Sequence, residues 1–386
     1  MTNLERMITE LCPDGVKYAK LSEVATITRG VRLIRSQLAE AGKYPVYQNS
    51  MTALGYYEEN NYPANTVFVI SAGAAGEIGY STVDFWAADD CFCFACPEDL
   101  QNRYLYYALL CQQNYIFSRV RRASVPRLAR SVVEQLRIPV PPLPVQNEIV
   151  RILDNFTALT AELTAELTAR RKQYEYYRDA LLTFGDDVPM VTLGEIAEYR
   201  RGSFPQPYGE RRWYDGDNAM PFVQVADVAE EGMRLVENTK QRISVLAQPM
   251  SVFVPKGTVV VSLQGSIGRV AITQYDSYVD RTLAIFNKYR IVINKKYFAY
   301  QLERKFGIEK EFARGSTLKT ITKEEFTKFT IPIPLLEEQE RIVSILDRFD
   351  ALTTDISNGL PAEITARQKQ YEYYRDKLLT FKEQKR

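Results

Sequence analysis

The sequence predicts an α/β chain in which two globular domains are separated by two long helices, the whole laid out as a pseudo-twofold repeat. Three observations predict it. The chain has 386 residues, about two to three times a typical domain, so a single core is not expected. A twelve-residue stretch from the middle of the chain recurs almost unchanged near the end. Each copy of that stretch closes a heptad run too long for a small domain to cover. With 46% hydrophobic and 25% charged residues, the composition is that of a folded chain, not a disordered one.

The repeat sets the domain plan. Gln173-Tyr174-Glu175-Tyr176-Tyr177-Arg178-Asp179-Ala180-Leu181-Leu182-Thr183-Phe184 returns as Gln370-Tyr371-Glu372-Tyr373-Tyr374-Arg375-Asp376-Lys377-Leu378-Leu379-Thr380-Phe381. Upstream, Ile149-Val150-Arg151-Ile152-Leu153-Asp154-Asn155-Phe156 returns as Ile342-Val343-Ser344-Ile345-Leu346-Asp347-Arg348-Phe349, and Ile138-Pro139-Val140-Pro141 as Ile331-Pro332-Ile333-Pro334. The halves also open alike, with Arg29-Gly30 paralleling Arg201-Gly202. Gly76-Glu77-Ile78-Gly79 is matched to Gly265-Ser266-Ile267-Gly268. Between these anchors the halves differ. One frame is used twice, with unlike surfaces mounted on it. The expected divisions are 1–145, 146–184, 185–336 and 337–386.

The first helix is expected over 146–184. Ile149, Leu153, Phe156, Thr160, Leu163, Leu167, Arg170, Tyr174, Tyr177, Leu181 and Phe184 are alternately four and three apart, a seam that demands a partner helix. In the second copy the seam runs Ile342, Leu346, Phe349, Thr353, Ile356, Leu360, Ile364, Arg367, Tyr371, Tyr374, Leu378, Phe381. Two successive steps of four make a stutter there, and Asn358-Gly359-Leu360-Pro361 is expected to kink or break the helix. The obvious partner for each helix is the other one.

In the domains, Thr66-Val67-Phe68-Val69-Ile70 and Thr258-Val259-Val260-Val261 read as buried strands, and helical patterns follow at 102–113 and 296–306. Cys91-Phe92-Cys93-Phe94-Ala95-Cys96 reads as a buried strand in preference to a zinc site. Gly73-Ala74-Ala75-Gly76-Glu77-Ile78-Gly79 reads as a hairpin turn in preference to a dinucleotide loop. Its counterpart, with Gln264 and Arg269 on a tight turn, is a candidate base reader.

Charge and absent residues narrow the function. The net charge is +1, so any nucleic-acid surface must be local. From 103 to 137 there are seven arginines (103, 119, 121, 122, 127, 130 and 137) against one acid, Glu134. The second half groups Arg200, Arg201, Arg211 and Arg212, then Arg281, Lys288, Arg290, Lys295 and Lys296, then Arg314 and Lys319. Such clusters among Tyr, Gln, Asn and Ser suit DNA, whose phosphates take Lys and Arg and whose base edges take Arg, Gln and Asn. Histidine is absent, which removes Ser-His-Asp and Cys-His nucleophile pairs and His-ligated zinc. No phosphate-binding G-x-x-x-x-G-K-[ST] run and no Asn- or Asp-Pro-Pro-aromatic tetrapeptide is present, so no catalytic residue and no metal ligand is assigned. Five cysteines and a charged, signal-free start lead us to expect the cytoplasm.

The chain resembles the specificity (S) subunit of bacterial type I restriction–modification systems over nearly its whole length. The residues that carry the resemblance are the two copies of Gln-x-x-Ile-Val-x-Ile-Leu-Asp-x-Phe (146–156 and 339–349), the Ile-Pro-x-Pro lead-ins, the paired Tyr-Glu-Tyr-Tyr-Arg-Asp ends, and the tandem Thr160-Ala161-Glu162-Leu163 and Thr164-Ala165-Glu166-Leu167. The resemblance implies two target recognition domains, each reading one half of a bipartite, asymmetric site in double-stranded DNA. It implies that the two helices pack as an antiparallel coiled coil, hold the domains apart and dock methyltransferase (M) subunits, typically two. S-adenosylmethionine then belongs to M, and ATP and magnesium to partner subunits that include the restriction (R) subunits, with no cofactor in this chain.

The expected DNA contacts in the first domain are Arg29, Arg32, Arg35, Gln48, Asn49, Arg121, Arg122, Arg127 and Arg130. In the second they are Arg201, Ser203, Arg211, Arg212, Gln264, Arg269, Arg314, Ser316, Thr317 and Lys319. The expected coil or partner residues are Leu153, Phe156, Leu163, Leu167, Tyr174, Tyr177, Leu181, Leu346, Phe349, Ile356, Tyr371, Tyr374 and Leu378. Tyr176, Arg178 and their counterparts fit either the coil or an M contact. The rival readings are a single-chain methyltransferase or nuclease, a DNA-binding regulator acting without a methyltransferase, and a purely structural coiled-coil scaffold.

Overall fold

The computed structural model describes residues 3–230, 232–312, 326–354 and 359–384. The first long helix is unbroken from Leu143–Leu181, roughly 58 Å at about 1.5 Å per residue. It starts three residues before the expected 146, with Pro144 in its first turn, where a missing N–H costs nothing. The second copy is two helices, Leu336–Thr354 and Leu360–Leu378, in line with the break expected near Gly359.

The chain divides into two compact units, Met1–Glu162 with Thr365–Arg386, and Leu163–Ile364. The divisions cut through the long helices and not, as the sequence suggested, at their ends. Burial explains this. Ile149 and Leu153 lie in the core of the first unit, with Leu378 and Leu379 packed there as well. Leu182 and Leu346 lie in the core of the second, against which Leu181 packs. Thus each unit takes the start of one frame copy and the end of the other.

In the first unit four antiparallel strands are ordered Thr26–Arg29, Cys91–Ala95, Thr66–Ile70, Ile78–Ser81. Side chains alternate across this sheet. Val67, Val69, Phe92 and Phe94 face a core with the helix Asn102–Cys111, whereas Phe68, Ile70, Cys91 and Cys93 meet Phe85 and Ala87 on the other side. Burial on both faces accounts for the uninterrupted apolar run Thr66–Ile70. A smaller sheet, Gly55–Tyr57, Tyr44–Tyr47 and Trp86–Ala87, has its last two strands parallel.

The second unit repeats the plan. Ala197–Arg201, Leu283–Tyr289, Val259–Ser262 and Val270–Ile272 form its four-stranded sheet. The second sheet is ordered Gln241–Ile243, Met220–Val223, Ser277–Val279, Val252–Val254, again with a parallel central pair. Lys295–Phe312 is the matching helix. In both units a short ladder joins the domain start to the Ile-Pro lead-in of the long helix: Tyr18–Lys20 with Arg137–Pro139, and Met190–Thr192 with Thr330–Pro332.

The shared motifs form matched hydrogen bonds. The buried Gln146 donates from Nε2 to the carbonyls of Asp99 and Pro141, and its Oε1 accepts from the Gln101 N–H. Gln339 donates to the Pro334 carbonyl and accepts from the Asn294 N–H. Tyr104 donates to the Pro139 carbonyl and Tyr297 to that of Pro332, each at 3.0 Å. Tyr107 donates to Asp154 and Tyr300 to Asp347. Arg103 and Lys296 complete the sets with ion pairs to the same two carboxylates.

The helix partners are also exchanged between copies. In the first unit Phe156 stacks on Tyr374 at 5.4 Å. In the second, Phe349 stacks on Tyr177 at 5.7 Å, with Tyr174 at 6.3 Å. Phe156 meets Tyr374 and, further along the first helix, Tyr177 meets Phe349, so the partner copy is met in reverse order, as in an antiparallel pair. Tyr371 sets its ring 6.4 Å from Tyr107. Leu163 and Leu167 are half-buried, and Ile356 lies outside the described residues.

The cysteines are free, with Cys91 and Cys93 buried. Burial pushes the Cys91 and Cys96 thiols up to about 12 and also raises Cys93. A thiol needs its thiolate form to react. Iodoacetamide at pH 8 is therefore expected to label these three only after unfolding, read by mass spectrometry. Rapid labelling of any of them in the native chain would contradict this packing.

Candidate nucleic-acid interface

In the first unit, segments distant in sequence meet along one edge through backbone bonds. Gly30 N–H reaches the Cys91 carbonyl, and Val31 that of Ala87. Ala88 N–H reaches Tyr47, Ser71 reaches Asp90, and Ala74 reaches Asn49. Gly73 N–H reaches Pro126, and Arg121 and Arg127 bond each other in both directions. The edge therefore gathers the loops after Arg29, after Tyr47, after Ile70, before Cys91 and around 119–128. Gly30 is required because a Cβ there would collide with the carbonyls of Ala87 and Ala88. Gly202 meets the same obstacle from Val279 and Asp280, which explains the repeated Arg-Gly.

The arginine cluster separates by partner. Arg103 pairs with Asp154, Arg137 with Glu383, and Arg119 lies over Tyr115. Arg130, expected to contact DNA, bonds Glu134 and the Ile27 carbonyl, which pins its short helix to the sheet. Arg29 is exposed, and its Nε donates to the Asp89 carbonyl. Arg32, Arg35, Arg121, Arg122 and Arg127 are exposed and make no ion pair among the described residues. Gln48 is half-buried, its amide unbonded among the described residues, and Asn49 is exposed. Asp89 Oδ1 is buried without a hydrogen-bond partner among the described residues.

The second unit has the corresponding edge. Gly202 N–H reaches Leu283, Ser203 reaches Val279, Asp280 reaches Val223, and Leu263 reaches Thr282. Gly268 N–H reaches the Ser262 carbonyl just as Gly76 reaches Ile70. This corrects the sequence match: Gly265-Ser266-Ile267-Gly268 corresponds to Gly73-Ala74-Ala75-Gly76, not to 76–79. Gly73, Gly76, Gly265 and Gly268 all have positive φ, and Ala75 and Ile267 are both buried. A second Gly-x-x-Gly at 76–79 and a shared Ile drew the sequence alignment three residues off.

Several expected contacts have internal partners here. Arg269 bonds Glu230 and the Val228 carbonyl and lines a cavity of about 440 Å³ with Arg178, Glu303 and Arg304. Its geometry is that of a structural tie. Ser203 Oγ donates to the Met250 carbonyl. Arg212 pairs with Glu210 and lies 4.2 Å above the Trp213 ring. Lys288 and Arg290 both bond Glu198. Arg201 and Arg211 are exposed, and Gln264 is half-buried on its turn. Arg314, Ser316, Thr317 and Lys319 lie outside the described residues.

Two residues on this edge are not among the expected contacts, although Arg281 is counted in a basic cluster. Arg281, exposed and 5.8 Å from the Tyr208 ring, occupies the place of Asp89. Gln224 occupies the place of Gln48. The weak signal for it was Pro221-Phe222-Val223-Gln224 against Pro45-Val46-Tyr47-Gln48. Behind Arg281, buried Asp280 accepts from Tyr208 and from Thr282 Oγ1. Burial first, and then that bond, raise the Tyr208 phenol and keep it protonated. Among the described residues no group of His, Cys, Asp or Glu is placed to hold a metal ion.

Two unlike, partly basic loop edges on one duplicated frame define a class of protein with two recognition heads. The chain belongs to the family of the type I restriction modification DNA specificity domain, whose model matches residues 13–170 and 185–366. It is 34% identical over 389 residues to a chain of Haemophilus influenzae described as a type I restriction enzyme specificity subunit, covering 95% of this chain and 96% of that one. It is 36% identical over 294 residues to a type I restriction enzyme specificity subunit of Escherichia coli, covering 72% and 70%. Its fold matches the crystal structure of a type I restriction-modification S subunit from M. genitalium, with TM-score 0.61, 16% identity and 95% and 96% coverage.

Proposed function

We propose that this chain is the DNA specificity subunit of a type I restriction–modification enzyme. Each unit reads one half of a bipartite, asymmetric site in double-stranded DNA through its loop edge. The helices set the spacing between half-sites and dock two methyltransferase subunits. The observation that carries this is one hydrogen-bonded frame, repeated with most of its bonds matched, under two edges with different side chains. A repeated frame suits two copies of one partner, and unlike edges suit an asymmetric site.

In this reading the chain is not itself a catalyst. Its M partners bring S-adenosylmethionine and methylate the target. R subunits bring ATP and magnesium chemistry. The matched tyrosines Tyr176 and Tyr373, 70% and 62% exposed, are candidate anchors for M on the two frame copies. Among the described residues no helix is long and apolar enough to cross a membrane, and we place the complex in the cytoplasm with the DNA.

The test is co-expression with an M partner followed by sequencing of methylated genomic DNA. A two-part motif with a fixed gap is expected; methylation without sequence preference, or none, would sink the reading. The unpaired arginines give a second test. Replacing Arg121, Arg122 and Arg127 by Ala is expected to weaken DNA binding. The slope of log affinity against log salt should fall by about one for each residue lying on a phosphate. Unchanged affinity and slope in a fluorescence anisotropy titration would remove these residues from the interface.

A further inference from the structure

Glutamine recurs at three matched places, of which Gln173 and Gln370 accept from Arg170 and Arg367 on their own helices. Gln146 and Gln339 are buried and bond backbone groups. Gln48 and Gln224 behave differently. Both follow the strand that pairs parallel in the second sheet of their unit, through Tyr47↔Ala87 and Val223↔Val279. Each comes directly after a carbonyl that accepts from the neighbouring loop, Ala88 N–H to Tyr47 at 2.8 Å and Asp280 N–H to Val223 at 3.0 Å. The next residue in each case lies nearest the positive-φ glycine of the adjoining turn, Asn49 at Gly73 and Val225 at Gly265. The two positions are therefore topologically the same.

Around them the edges diverge. Asn49 faces Val225 in the correspondence, Asp89 faces Arg281, and Asp90 faces Thr282. The glutamine is kept, as are the Arg-Gly pair and the turn glycines, and its amide is little bonded within either unit. Among the described residues the Gln48 amide makes no hydrogen bond, and the Gln224 amide makes one long contact, 3.5 Å from its Nε2 to the Tyr208 hydroxyl. Both are half-buried on the edge, where a side chain loses less entropy on binding than a fully exposed one. A carboxamide offers one donor and one acceptor side by side, the pattern that matches N7 and N6–H of adenine in the major groove.

We propose that Gln48 and Gln224 each read an adenine in the half-site of their own domain through the side-chain amide. The proposal rests on the DNA-reading function above and adds the base and the residue. In the complex with M, Gln224→Ala is expected to relax one A·T position in one half-site. Discrimination there should fall roughly 5- to 150-fold, while the other half-site is untouched. Gln48→Ala should do the same in the opposite half-site. Gln224→Glu, nearly the same size, should shift preference at that position toward cytosine, whose N4–H donates to a carboxylate.

The wild-type complex provides a readout independent of any variant. Placing 7-deazaadenine at each adenine of the cognate duplex removes the N7 acceptor without altering pairing. One position in each half-site should lose affinity. If no adenine responds, or if both variants lower methylation evenly while keeping every position of the motif, the proposal is overturned. Absence of any motif from the wild-type complex would instead overturn the DNA-reading function beneath it.

Discussion

Excising Thr164-Ala165-Glu166-Leu167 from the long helix is expected to leave both half-sites readable and to shorten the unspecified gap between them. The tetrapeptide repeats Thr160-Ala161-Glu162-Leu163, and three of its four side chains are exposed, with only Leu167 half-buried. Removing it takes nothing from either globular core. Four residues are about 6 Å of helix and, at 3.6 residues per turn, leave a net rotation of about 40°. The translation is close to two base-pair steps of about 3.4 Å, while the rotation is near that of one step at about 10.5 per turn. A gap shorter by one or two base pairs follows. The deletion also puts two steps of three together in the seam, which overwinds a coil locally, a strain the exposed mid-helix can absorb. Sequencing of methylated DNA from cells carrying the deleted chain and M would show the new gap. An unchanged gap would mean that the helix does not set the spacing.

The frame was legible because it is written twice. Gln146, Ile149, Leu153 and Asp154 have each a partner 193 positions later, and such agreement reports contacts that do not vary. The seam period announced the helices, and Phe156 and Phe349 found the tyrosines of the opposite copy. The ends of the seam were harder to read. Leu153, Leu181, Leu346 and Leu378 keep heptad spacing, yet they serve the globular cores, because an apolar stripe does not say whether a helix or a sheet will cover it.

The recognition edge was only partly legible, for a different reason. Whether an arginine is available depends on acids that the fold brings to it. Arg137 finds Glu383 across 246 positions, and Arg290 finds Glu198 across 92. Local counting of charge could not separate these from Arg121 or Arg122. The edge itself is assembled by backbone bonds between loops such as Ala74 to Asn49 and Gly73 to Pro126, which have no sequence period. Gln224 was hidden because correspondence between the halves is carried there by strand pairing, with only a Pro and the Gln itself left in common.

Gln146→Leu is expected to cost more stability than any surface change considered above. Leucine fills similar volume but leaves the Gln101 N–H and the carbonyls of Asp99 and Pro141 without their partner. Each buried group so orphaned costs about 1–3 kcal/mol, and partial access of water brings the sum to about 3 kcal/mol. Gln339→Leu orphans two groups, the Asn294 N–H and the Pro334 carbonyl, and should cost about 2 kcal/mol on the same reasoning. A chain of two units need not unfold in one step, so amide exchange is the sharper measurement. The Gln101 amide should lose protection in the first variant and the Asn294 amide in the second, each leaving the other as it was. These glutamines stand at the start of the two helices proposed to set the spacing, so the variants should also blur the gap in the methylated motif before they abolish methylation. If Gln146→Leu keeps both the wild-type protection at Gln101 and the wild-type urea midpoint, the amide does not anchor the helix, and the matched bonds of the two copies are inheritance without present energetic consequence.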